Sequence, residues 1–130
     1  MDAKQLYDYL AANYENHYFG SYEELNLILD NAEFPCVVVV PVSKTVLFQA
    51  DQFKITERVD VAVLNKMELE EEMIVIYEEM QTLEKNLLNA IYPLSDKIKN
   101  IVCLSELNKF DANVLFSAFS LDVQHDSICN

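Results

Sequence analysis

The side chains able to do chemistry are few in this 130-residue sequence, and their spacing does not gather them. His17 and His125 are the only histidines. Neither stands in HxH, HxxxH or HExxH spacing, so no metal triad and no Cys–His dyad is visible. Cys36, Cys103 and Cys129 are odd in number and lack CxxC spacing, which reads as three thiols in a reducing compartment. Glu70 with Glu71 and Glu78 with Glu79 offer carboxylate pairs for general acid and base work. Adjacent helical positions, however, point about 100° apart and do not converge on one bond. Ser21, Ser43, Ser95, Ser105, Ser117, Ser120 and Ser127 lack a nucleophile-elbow context, and a single glycine, Gly20, cannot make a phosphate-cradling loop. These residues point away from an enzyme, and no catalytic residue, cofactor or metal ligand is expected.

Charge narrows the partners. The 22 acidic and nine basic residues give a formal charge of −13, which opposes the counterion release on which nucleic-acid binding rests. Sequence-specific DNA binding is therefore not expected. The cations are scattered, and only Lys97 and Lys99 lie close together. The apolar runs Cys36–Val40 and Met73–Tyr77 are far shorter than the roughly 20 residues of a membrane-spanning helix. Asp2 and Lys4 with the polar stretch after them are unlike a secretory leader, so neither a membrane nor export by that route is expected.

What remains is contact between proteins. Tyr7, Tyr9, Tyr14, Tyr18, Phe19 and Tyr22 crowd the first 22 residues. They are interleaved with acids, not with lysine or arginine, which disfavours a base-stacking groove. Tyrosine gives a large rigid contact with a polar tip, so Tyr14, Tyr18, Phe19 and Tyr22 are candidates for a subunit interface, with intrachain packing as the equal alternative. Val46, Leu47 and Phe48, in a segment from Val42 to Gln52 that no active site requires, are candidates for an inter-subunit arm.

The elements that must position these residues follow from periodicity. With 52% hydrophobic and 24% charged residues, the chain suits one compact domain over 1–130 with an ordinary core. Ala3, Leu6, Tyr7, Leu10 and Ala11 make one stripe of a helix over about Asp2 to Asn13, capped by Asp2. Ser21 and Glu24 have capping-box spacing and open a shorter helix, which completes a helical part over 1–33. Phe34 to Pro41 predicts a strand buried on both faces and bounded by prolines; Thr45 to Phe48 predicts a second short strand, and Gln49 to Gln52 a loop. Val59, Val61 and Val63 alternate with Asp60 and Ala62 within Phe53 to Leu64, as in a strand with a wetter face.

The longest helix is predicted from about Glu68 to Tyr92, ending at Pro93, with Glu68, Glu70, Glu71 and Glu72 in its first turn. Its alternating steps of four and three allow a coiled coil over three heptads, but the apolar stripe is wider than an a/d seam and favours packing on a sheet. Lys99 to Leu107 and Val114 to Val123 predict an antiparallel hairpin around the connector 108–113. In its second strand Leu115, Phe119, Leu121 and Val123 form the core side, and Ser120, Asp122 and Gln124 the wet side. Residues 125–130 are expected to be a flexible tail. The sum is an α+β domain: N-terminal helices, an antiparallel or mixed β-sheet of four to five strands, and one long helix packed on the sheet.

Several of these segments together resemble a known family. The N-terminal helix, Phe34-Pro35-Cys36-Val37-Val38-Val39-Val40-Pro41, Arg58-Val59-Asp60-Val61-Ala62-Val63 before an acidic helix, and Phe110-Asp111-Ala112-Asn113-Val114 before the last strand look like the small head-tail connector and tail-completion (tail-terminator-like) proteins of tailed phages, of crAss-like or Bacteroidales prophage type. The resemblance implies a virion structural protein that forms a ring of six or twelve copies at the head-tail junction or tail end. Its partners would be portal, neck or tail proteins, with DNA passing through the lumen. It would be found in the virion, and in the host cytoplasm during assembly. The resemblance implies no enzyme. The alternative from charge alone is an acidic, host-directed or regulatory interaction module that engages a basic partner as a DNA mimic.

Overall fold

A computed structural model describes residues 1–66, 72–107 and 114–128. Helix α1, Ala3–Ala11, opens with a capping box in which the Asp2 carboxylate accepts from the Gln5 amide and the Gln5 side chain accepts from the Asp2 amide. Strand β1, His17–Phe19, and helix α2, Tyr22–Ile28, follow, and a 3-10 turn at Leu29–Asn31 ends this part. Strands β2, Cys36–Phe48, and β3, Gln52–Lys66, form a long hairpin. Helix α3, Met73–Ile91, leads through a 3-10 turn at Tyr92–Leu94 into β4, Ile98–Leu107, and β5, Val114–Ile128.

The five strands make one mixed sheet in the order β1-β2-β3-β5-β4; only the β1–β2 pairing is parallel. The α+β class, the five-strand sheet and the long helix packed on it agree with the periodicity. Two core layers flank the sheet. Val37, Val39, Val59, Val61, Val63, Phe119 and Leu121 point to one side, where Leu6 and Leu10 of α1 and Ile76, Met80, Leu87 and Ile91 of α3 cover them. Val38, Val40, Ala62, Leu64, Phe116 and Ala118 point to the other, against Leu25 and Leu29. Central strands buried on both faces explain why Cys36–Val40 reads as an unbroken apolar run.

Several boundaries differ from expectation, each for a physical reason. The 1–33 part is not wholly helical, because His17–Phe19 pairs with Val37–Val39. Ser21 caps α2 through the Glu24 amide, but the Glu24 carboxylate accepts from the Tyr18 hydroxyl at 3.0 Å. The two strands expected at Phe34–Pro41 and Thr45–Phe48 are one, with a register shift between Pro41 and Ser43. Val37 N donates to Asn16 O and Val39 O accepts from Gly20 N, so odd positions of β2 bond outward, and the amide that Pro41 lacks falls on an edge that β1 no longer covers. The wetter face expected at Asp60 and Ala62 lies under α2: Ala62 is buried, and Asp60 accepts from Tyr22 Oη and Ser120 Oγ, both at 2.5 Å. Likewise Asp122, expected on a wet side, is buried.

The tail expected to be flexible from His125 is strand as far as Ile128, paired with Gln52–Ile55. Helix α3 begins at Met73, with Glu72 as its N-cap residue. The expected first-turn acids Glu68, Glu70 and Glu71, the connector 108–113, and residues 129–130 lie outside the described residues.

Candidate protein-interaction surface

Three strands outrun both helix layers. In β2 the residues Cys36–Val40 are all buried and Pro41–Phe48 are all exposed, although the ladder to β3 continues to Phe48 opposite Phe53. Strand β5 accompanies β3 outward to Ile128, whereas β4 starts only at Ile98, opposite Val123. The projecting part is a three-stranded arm closed by the Gln49–Asp51 turn, where Gln49 N donates to Gln52 O at 2.8 Å.

The register assigns the arm's side chains. Val46, Phe48, Phe53, Ile55 and His125 share the face on which α1 and α3 lie further down; Leu47, Lys54, Thr56 and Gln124 share the other. Phe48 is 80% exposed and Leu47 56%, and Val42 and Val46 are exposed too. The Phe48 and Phe53 rings are tilted with centroids 6.3 Å apart, an aromatic cross-strand pair at the tip. Among the described residues no strand pairs with the outer edge of β2 beyond Val39. An open edge with apolar side chains on both faces is what a partner strand or apolar surface needs.

The stem of the arm is stiffened by polar pairs between strands. Arg58 Nε and Nη2 donate to the two carboxylate oxygens of Asp122 at 2.9 and 3.2 Å, and Asn100 Nδ2 donates to the same carboxylate at 3.0 Å. The Arg58 hydrogen bonds, joined by the one from Asn100, hold the Asp122 carboxyl below its ordinary range despite burial; Asp122 in turn pushes the guanidinium up. Asn100 has a left-handed backbone, φ 53°, a conformation that asparagine tolerates better than most side chains. His125 Nε2 lies 3.1 Å from Glu57 Oε1 across β5 and β3. A bidentate pair bridging neighbouring strands fixes orientation as well as adding energy.

Beside this stem, at the edge of β5 just past the start of β4, is a cavity of about 460 Å³ lined by Lys54, Asp96, Lys97, Lys99, Gln124 and His125. Lys97 and Lys99, the one close cation pair of the sequence, thus line the same cavity as Lys54 of the arm.

The other interface candidates are engaged within the chain. Tyr14 and Phe19 are half-buried against the α1–α3 side of the core, and Tyr18 and Tyr22 against the α2 side. Burial pushes the Tyr14 hydroxyl up in pKa. The Phe19 ring packs on Tyr7, whose hydroxyl lies 2.7 Å from His17 Nδ1. Val46, Leu47 and Phe48 alone of the seven candidates stand clear of the body. Sequence reasoning did not single out the second exposed apolar surface. Met73, Ile74, Tyr77 and Leu88 flank the buried stripe of α3 and are exposed, and the signal was the width of that stripe, greater than one sheet face can cover.

Cys36 is buried, which pushes its thiol up to about 11 and leaves it a packing residue. No group of three metal-ligating side chains occurs among the described residues. No described helix is long and apolar enough to cross a membrane. No protein-family model matches the chain, and no curated protein matches it.

Proposed function

We propose that the chain is an assembly subunit of a virion: a ring-forming protein of the head-tail connector or tail-completion type, placed at the neck or tail end of a phage particle. The observation that carries this reading is the bare arm. A buried strand that continues as an ordered, apolar projection with an open edge suits a chain that finishes its fold against another protein. A closed ring needs heterologous contacts, in which one patch meets a different patch on the next copy. The resemblance of the Phe34–Pro41 and Arg58–Val63 segments to phage connector proteins supplies the setting. The acidic balance fits a lumen through which DNA passes, since a negative wall repels phosphate and prevents adhesive binding. The reading assigns no catalytic step.

Light scattering and negative-stain microscopy of concentrated protein test it. Closed rings are expected, with weak and salt-insensitive binding to duplex DNA. A chain that stays monomeric and binds a basic host factor would reverse the reading in favour of an acidic decoy.

A further inference from the structure

We propose that the arm of one copy docks on the N-terminal half of α3 of a second copy, with Val46 and Phe48 against Met73, Ile74 and Tyr77, and with Lys44, on the same face of the arm, facing the acids of that helix. This rests on the ring reading above and names the contact that would build the ring.

The two surfaces stand at opposite ends of the molecule and cannot meet within one copy. The arm tip is the Gln52 end of β3, whereas α3 starts after the Lys66 end. From there the helix runs back toward the arm. Ser117 Oγ donates to Glu84 Oε1 at 2.8 Å, which places mid-helix at the level of Val63, the register partner of Ser117. After Ile91 the chain enters β4 at Ile98, at the level of Val123 and Glu57. Met73 and Tyr77, one turn apart, and Ile74 beside them form a contiguous patch, and Ile74 and Tyr77 are both 62% exposed. Nothing in the core requires them, because Ile76, Met80, Leu87 and Ile91 already face the sheet.

Charge selects the partner. Four of the nine cations, Lys44, Lys54, Lys97 and Lys99, lie on the arm or around the cavity at its stem; Lys44 shares the face of Val46 and Phe48, and Asp51 and Asp96 are exposed acids of this region. Arg58 and His125, also at the stem, are taken by Asp122 and Glu57. The start of α3 has the opposite balance: Glu72, Glu78 and Glu79 are exposed, with no cation in the helix before Lys85. Glu78 stands one turn after Ile74, so an apolar patch bordered by Lys44 meets an apolar patch bordered by carboxylates. Two different patches, each bare and each complementary to the other, make a head-to-tail contact; an arm-to-arm dimer would oppose lysine to lysine.

The test mixes two variants, Phe48→Asp on the arm and Tyr77→Asp on α3, both at exposed positions and both checked by circular dichroism. Each alone is expected to be monomeric at concentrations where the parent assembles. Mixed in equal amounts they should form a heterodimer and nothing larger, because one intact arm and one intact helix face remain between them. Lys44→Glu should weaken assembly by about fivefold at most, as an exposed ion pair does, and Glu78→Lys in the partner should restore it. A parent that assembles while Tyr77→Asp assembles equally well overturns this contact and leaves the ring reading standing. A mixture in which both variants stay monomeric, beside a parent that assembles, overturns it in favour of an isologous contact. A parent monomeric at its solubility limit overturns both.

Discussion

The two halves of β2 lie in one strand and obey different rules. From Cys36 to Val40 every side chain is buried, sandwiched between α1 with α3 on one side and α2 on the other. From Pro41 to Phe48 every side chain is exposed, yet the ladder to β3 persists. In the inner half, apolar side chains hold the strand by losing contact with water. In the outer half, order comes from three-strand hydrogen bonding and from cross-strand polar pairs such as Arg58 with Asp122 and His125 with Glu57. Apolar residues in the outer half contribute to the isolated fold only through cross-strand pairs such as Phe48 with Phe53, and bury little surface there. Their exposure there is what motivates the proposed docking of the arm.

The sharpest break of this contrast is a pair of truncations. Leu121→Ala removes a fully buried side chain on the α1–α3 side of the core and is expected to cost about 2–5 kcal/mol in chemical denaturation. Leu47→Ala, on the arm, should change stability by no more than about 0.5 kcal/mol. Equal losses would mean that the arm belongs to the core.

The stem gives a second handle, through pH. Asp122 has its pKa lowered in the fold, so its contribution is fully present above the unfolded carboxylate value of about 3.9 and is lost as pH falls through the lower folded value. The difference in denaturation midpoint between the parent and Asp122→Asn should accordingly be constant from neutral pH down to that region and shrink below it. A difference that does not vary with pH would show that the carboxylate charge does not hold the arm.

A smaller effect belongs to α2, which covers the second face of the inner half. Ser21→Ala removes the side chain that caps Glu24 N and is expected to cost about 1 kcal/mol. Because α2 lies on the body, this loss should leave assembly unchanged once the protein is folded.

How far the sequence revealed these halves depends on the length scale of each signal. Alternation at Val59, Val61 and Val63, the apolar run Cys36–Val40, the Asp2 cap and the long stripe of α3 are local patterns, and the elements they predict are present. Features set by pairing at a distance were not legible. Three residues, His17–Phe19, become β1 only because Val37–Val39 offers an edge. Residues 125–128 become strand only because β3 runs out beside them. Pro41 looked like a terminator, since whether its missing amide matters depends on where β1 stops. At the surface, Val46, Leu47 and Phe48 were legible as an arm by their composition. The exposed flank of α3 was not, because a sequence shows the width of an apolar stripe and not how much of it a sheet will cover.

The measurement that bears most directly on the arm as an assembly device is the molar mass of the parent and of Phe48→Asp, taken by light scattering over a concentration series at constant ionic strength. A discrete multimer for the parent and a folded monomer for the variant, with the same thermal unfolding profile in dilute solution, is the result the bare arm predicts. A variant that assembles as the parent does would contradict it.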